Sequence, residues 1–208
     1  MEFFKISYTA FTFEGHSVSY IELVGTVFGF VSVHFASRGN VLTWPTGIVN
    51  EILLLILFFQ VQLYADMFLQ VYFLVITVYG WYHWQTNMRN EVVFRITNFK
   101  RMMLVGIIVF ASFAMGYSML HIHQYLPDYF PLPAAYPFVD SVVMVCSVAA
   151  TYLLARKNIE NWIIWIIVDV ISIVLFYRKG IYFLSLEYVF FLLLASYGLY
   201  NWNRIHTS

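Results

Sequence analysis

Long apolar runs separated by short polar breaks dominate the chain, and their lengths set its architecture. A hydrocarbon layer about 30 Å thick needs roughly 20 apolar residues per crossing helix. Runs of that kind fall at 19–37, 43–60, 63–84, 102–121, 138–156, 161–177 and 181–203. The pattern predicts an all-α membrane protein with seven transmembrane helices. Pro127, Pro131, Pro133 and Pro137 mark the longest loop, between the fourth and fifth spans, because proline lacks the amide donor that a helix interior requires. Pro45 stands in the first turn of its helix, where no backbone partner is lost. Short turns at Gln60–Gln62 and Arg178–Gly180 divide the second span from the third and the sixth from the seventh.

Composition agrees with the pattern. Hydrophobic residues fill 62% of the 208 positions and charged residues 11%, against about 25% charged in an ordinary soluble domain. A formal net charge of +0 gives no basic face for nucleic acid. The single Cys146 lies in an apolar run and excludes an internal disulfide framework or a thiolate metal cluster. His121 and His123 are two residues apart and point to opposite sides of a helix, a poor metal pair. Neither metal nor cofactor is expected. Residues 1–18 hold no apolar core before a small-residue cleavage site, and so read as an extracytoplasmic segment and not as a removable signal.

Basic residues choose the orientation. Arg38, Arg89, Arg95, Lys100, Arg101, Arg156, Lys157 and Arg204 fall on one side of the seven spans, against Lys5, Arg178 and Lys179 on the other. The excess of Lys and Arg on cytoplasmic loops puts the N-terminus outside and residues 204–208, the C-terminal tail, in the cytoplasm. Trp44, Trp84, Trp162 and Trp202 then cluster near cytoplasmic helix ends, where an interfacial aromatic belt is expected.

"RGNVLTW" at Arg38–Trp44 and "RKNIENW" at Arg156–Trp162 are versions of one phrase. Sliding the chain over itself to place Glu22 on Asp140 aligns Glu22–Gln85 with Asp140–Asn203 without a gap, and about sixteen positions are identical. Arg38 meets Arg156, Asn40 meets Asn158, Trp44 meets Trp162, Tyr64 meets Tyr182, and "YGWYHW" meets "YGLYNW". These polar, aromatic and glycine identities are more than the shared hydrophobicity of any two spans. The repeat predicts a three-helix unit at 19–85, a linking region at 86–137 with the fourth helix and the proline-rich loop, and a second unit at 138–203. The units begin four crossings apart and so share one orientation, a 3+1+3 arrangement of two parallel repeats like that of SWEET-type carriers, whose solute site lies between the halves.

Polar groups inside the spans mark where that site would be, because each charged group is costly there unless paired. Asn50 and Glu51 lie about two turns into the second span, Asp169 at the matching depth of the sixth, Gln70 in the third, and Glu187 with Tyr188 in the seventh. A path for a polar or cationic solute and a set of interhelical hydrogen bonds both account for them. Trp162, Trp165 and Asp169, spaced by three and four, share one helix face. A flat aromatic cation there could stack on an indole and neutralise the carboxylate. Trp162 is equally placed to be an interfacial anchor. Gly47 matches Trp165 in the first repeat, leaving room for a ring or for close helix contact. Tyr79 and Tyr197, beside Gly80 and Gly198, are candidate gate or site residues.

The chain resembles the PnuC family of bacterial vitamin transporters along nearly its whole length. "WPTGIVN" at Trp44–Asn50, "YADMFLQVYFLVITVYGWYHW" at Tyr64–Trp84, "ENWIIWIIVDVISI" at Glu160–Ile173 and "YGLYNW" at Tyr197–Trp202 carry the resemblance. It implies a homotrimer in the bacterial inner membrane that takes up nicotinamide riboside by facilitated diffusion. It also implies a cytoplasmic kinase that traps the solute by phosphorylation. Thiamine-type and riboflavin-type carriers belong to the same family and are the alternatives. The expected substrate contacts are Trp165, Asp169, Trp162, Asn50, Gln70, Tyr188, Glu51, Tyr79 and Tyr197. An intramembrane enzyme would need paired acid–base groups, and only Glu51 and Asp169 offer themselves, with no nucleophile beside them. A scaffold-like bundle would not need the repeat. The chain is therefore expected to be a carrier and not an enzyme.

Overall fold

A computed structural model describes residues 8–13, 15–60, 64–86, 93–127 and 134–207. Lys5, Arg89, Pro131, Pro133 and most of the turn at Gln60–Gln62 lie outside these residues. Among the described residues, seven helices follow the seven apolar runs: α1 (Tyr20–Ser37), α2 (Thr43–Gln60), α3 (Tyr64–Thr86), α4 (Asn98–Tyr125), α5 (Pro137–Ala155), α6 (Glu160–Arg178) and α7 (Tyr182–Thr207). By length and hydropathy, six of them are candidate membrane spans. The exception is α3, whose 23 residues are diluted by tyrosine, tryptophan, histidine, glutamine and aspartate.

Local chemistry sets several helix ends. Ser19 and Glu22 form a reciprocal capping box on α1, Ser19 Oγ accepting from Glu22 N and the Glu22 carboxylate from Ser19 N. Thr97 Oγ1 accepts from Lys100 N at the start of α4, and Pro137 occupies the first turn of α5. Gly180, with φ +76°, turns the chain from α6 into α7.

The N-terminal segment adds a small β element to the predicted all-α fold. Strands β1 (Thr9–Phe13) and β2 (His16–Ser19) pair antiparallel through a turn at Gly15, where φ is +81°. Phe11 and Phe13 rest edge-on against Phe183 at the start of α7, with ring centroids 5.7 and 6.1 Å apart.

Helix packing closes a ring. α1 packs on α2, α2 on α3, α3 on α5, α5 on α6, α6 on α7 and α7 back on α1, while α4 lies outside against α5. In that order α2 and α6 stand on opposite sides. The outward face of α4, with Phe99, Met102, Val105, Val109 and Phe113, is apolar and open, as the surface of a helix in hydrocarbon should be.

The doubled phrase makes the same turn twice. Gly39 (φ +66°) and Lys157 (φ +53°) hold equivalent left-handed positions. Asn40 N donates to Phe35 O and Asn158 N to Leu153 O, both at 2.9 Å. The second turn is also stitched to the segment before α4: Phe94 N donates to Lys157 O and Ile159 N to Phe94 O. Beside it, Arg101 pairs with the buried Glu160 at 2.9 Å.

The four tryptophans do not form the expected belt. They are buried and run as one row, Trp44–Trp84–Trp202–Trp162, with centroid separations of 5.1, 6.2 and 5.5 Å. The outer two contacts are edge-to-face, at 88° and 85°, the arrangement favoured by the aromatic quadrupole. Glycine makes the row possible: a Cβ on Gly198 would stand 2.7 Å from Trp162 Cδ2, and one on Gly80 would overlap Trp44. The Trp44 and Trp162 indoles lie on bare glycine backbone, turned into the bundle.

Candidate functional site

Helix α2 presents Trp44, Gly47 and Glu51 on one buried face, the spacing of three and four placing them in line. Glu51 is 9% exposed, and its Oε1 accepts a 2.6 Å hydrogen bond from Thr77 Oγ1 of α3. Its other oxygen, Oε2, is buried without a hydrogen-bond partner among the described residues. Gly47 packs closely against Ser32 and Thr77: an added Cβ would stand 3.2 Å from Ser32 Oγ and 3.5 Å from Thr77 Cγ2. Ser32 Oγ donates to Thr43 O at 2.8 Å and Thr43 Oγ1 donates to Ser32 O at 2.9 Å, locking α1 to the start of α2.

Asn50, next along α2, turns to α1. Its Nδ2 donates to Gly25 O at 2.7 Å, and its amide lies against Gly29, which also borders the Phe191 ring. Phe191 meets Tyr188 at 6.1 Å, and Tyr188 stacks on Phe176 of α6 at 5.4 Å and 12°. Glu187, one residue earlier, engages Thr26 of α1. Asn50 and Tyr188 are therefore linked through Phe191 at the α1–α7 seam.

Across the ring, α6 carries Asp169 at 2% exposure, with no side-chain hydrogen bond among the described residues. Trp165, one turn earlier, is half-buried and packs on both the tryptophan row and the apolar cluster of Cys146, Ala150 and Val168. Trp162 is 1% exposed and covered by Trp202 and Gly198, so its ring is closed off in this conformation. Its indole N–H and that of the equivalent Trp44 are both buried without partners among the described residues.

Gln70 is buried on the same face of α3 as Thr77, Gly80 and Trp84. Tyr79 and Tyr197 stand apart from these groups and are exposed; the Tyr79 hydroxyl accepts from Arg156 at 3.3 Å and its ring stacks on His83. Among the described residues, no three His, Cys, Asp or Glu side chains come together as a metal site. Sequence reasoning missed Thr77, Ser32, Thr43 and Phe191. The clue to Thr77 was its position seven residues after Gln70 and seven before Trp84.

The arrangement is that of a multi-pass membrane transporter: apolar helices facing outward, with carboxyl, amide and aromatic groups inside. Residues 19–204 match the nicotinamide mononucleotide transporter family, and the chain belongs to that family. It is 35% identical over 210 residues to the nicotinamide riboside transporter PnuC of Escherichia coli (strain K12), covering 90% of this chain and 87% of that protein. It is 24% identical to the riboflavin/roseoflavin transporter RibM of Streptomyces davaonensis, over 93% of this chain and 89% of RibM. The crystal structure of the vitamin B3 transporter PnuC shares the fold, with a TM-score of 0.69 and 22% identity over 90% of this chain and 82% of that one.

Proposed function

We propose that the protein takes up nicotinamide riboside across the bacterial inner membrane by facilitated diffusion with alternating access. The observation that carries this reading is the pair of repeat-equivalent buried carboxyls, Glu51 and Asp169, on opposite helices of the ring, one with Trp165 a turn away. Trp165 stacks on the pyridinium ring, Asp169 offsets its charge, and Trp162 flanks the ring only when the tryptophan row that covers it here opens. Asn50, Gln70 and Tyr188 meet the ribose. Tyr79 and Tyr197 serve the cytoplasmic gate. The identity with E. coli PnuC favours this solute among vitamins.

Two like-oriented units, 19–85 and 138–203, rock about the site, joined by the linking region 86–137. Support comes from the equivalent turns at Gly39 and Lys157 and the equivalent packing of Trp44 on Gly80 and Trp162 on Gly198. Residues 1–18 lie outside and the tail at 204–208 lies in the cytoplasm. The carrier works as a homotrimer, and a cytoplasmic kinase traps the solute. A second reading, a riboflavin or thiamine carrier, draws on the resemblance to RibM. Uptake of labelled nicotinamide riboside into proteoliposomes, challenged with each vitamin in turn, tests both readings: displacement by unlabelled riboside alone supports the first, and uptake of riboflavin or thiamine in its place supports the second.

A further inference from the structure

The two repeated stretches of sequence differ in the polar groups that surround their paired carboxyls. Where the first repeat has Ser32, Asn50 and Thr77, the second has Ala150, Val168 and Ala195. Where the first has Gly47, the second has Trp165. Glu51 is accordingly held by a hydroxyl from the next helix, whereas its equivalent Asp169 has no such partner among the described residues and a large indole one turn away instead.

We infer that Thr77 is a positioning residue that aims the Glu51 carboxyl at a hydroxyl of the solute, so that Glu51 reads the hydroxylated portion while its equivalent Asp169, beside Trp165, faces the aromatic cation. This rests on the transport reading above. A carboxylate has two oxygens and about four acceptor sites. Thr77 occupies Oε1 at 2.6 Å, which fixes the rotation of the group and leaves Oε2 buried with no partner among the described residues. An unused acceptor in a water-poor interior is costly, and a donor supplied by the solute would relieve that cost. Gly47 lets Ser32 and Thr77 close in beside the carboxyl, since a Cβ there would stand 3.2 Å from Ser32 Oγ and 3.5 Å from Thr77 Cγ2. Thr77 itself is 3% exposed and acts through Glu51 without needing to touch the solute.

The test is a binding cycle on the purified full-length protein, with nicotinamide riboside and its 2′,3′-dideoxy analogue as probes. Thr77→Val, which keeps the shape and removes the donor, is expected to weaken riboside binding about 10-fold, and Thr77→Ser to restore it to within about 2-fold of the parent. On a Glu51→Gln background, Thr77→Val should add less than about a 2-fold loss, because the two residues act as a unit. Binding of the dideoxy analogue should be insensitive to Thr77→Val. Equal losses for both probes, an undiminished loss on the Glu51→Gln background, or no rescue by serine would overturn the inference. If the parent protein binds riboflavin or thiamine in place of the riboside, the substrate assignment falls, and the same cycle on that vitamin still decides whether Thr77 acts through Glu51.

Discussion

Trp84 and Trp202, equivalent residues of the two repeats, lie 6.2 Å apart ring to ring, and each hydrogen-bonds across the ring seam to the other half. The Trp84 indole donates to Ala155 O at the end of α5, and the Trp202 indole donates to Ala36 O near the end of α1. Both carbonyls belong to helix C-terminal turns, where backbone acceptors lack intrahelical partners. Trp84→Phe orphans the Ala155 acceptor, Trp202→Phe removes a second donor from Ala36 O, which Gly39 N also reaches at 2.9 Å, and both thin the row. Each should cost about 1–3 kcal/mol of stability. The combined variant should depart from additivity because the rings touch. Thermal unfolding in detergent, followed by loss of the monodisperse fraction, measures it.

The same row requires glycine beneath it. Gly80→Ala and Gly198→Ala push a methyl into Trp44 and Trp162 and should each cost about 1–3 kcal/mol, as overpacking does. Gly106, on the open side of α4, has no atom within 4 Å of an added Cβ. Gly106→Ala should therefore leave the melting temperature unchanged or raise it slightly, since alanine is the better helix former. Melting temperatures measured side by side separate the two classes.

Much of this architecture is legible in the sequence, and the failures have physical causes. Apolar length placed all seven helices within a few residues, and the repeated Arg-x-Asn phrases, read only as a sign of duplication, prove to flank two equivalent left-handed turns. The β-hairpin escaped notice because strands of five and four residues carry too little alternation to register beside spans of 18 or more. The tryptophans at helix ends suit an interfacial belt and a buried row equally well. Only the pairing of Trp44 with Gly80 and of Trp162 with Gly198 decides between them, and that contact joins different helices. Thr77 reads as one more β-branched filler in an apolar span until the structure brings it to Glu51.

Orientation is testable without a solute. On a Cys146→Ser background, a single cysteine at Ser17 in β2 should react with a membrane-impermeant maleimide added to intact cells. One at Arg204 should react only after the membrane is opened. The opposite pattern would invert the assignment made from the basic residues.

The aromatic half of the site is tested by Trp165→Ala and Asp169→Ala. Each should abolish detectable binding of nicotinamide riboside, while the protein still elutes as a folded, monodisperse species. Loss of the indole removes the stacking face, and loss of the carboxylate leaves the pyridinium charge uncompensated in the interior. Unchanged affinity in both variants would remove α6 from the pocket.

The most direct measurement is the competition profile of labelled nicotinamide riboside uptake into proteoliposomes holding only this protein. Saturable uptake down the riboside gradient, undiminished when any pH gradient is collapsed and displaced by unlabelled riboside but not by thiamine or riboflavin, is the predicted result. No riboside uptake by protein that melts cooperatively, or uptake that collapses with the pH gradient, would contradict it.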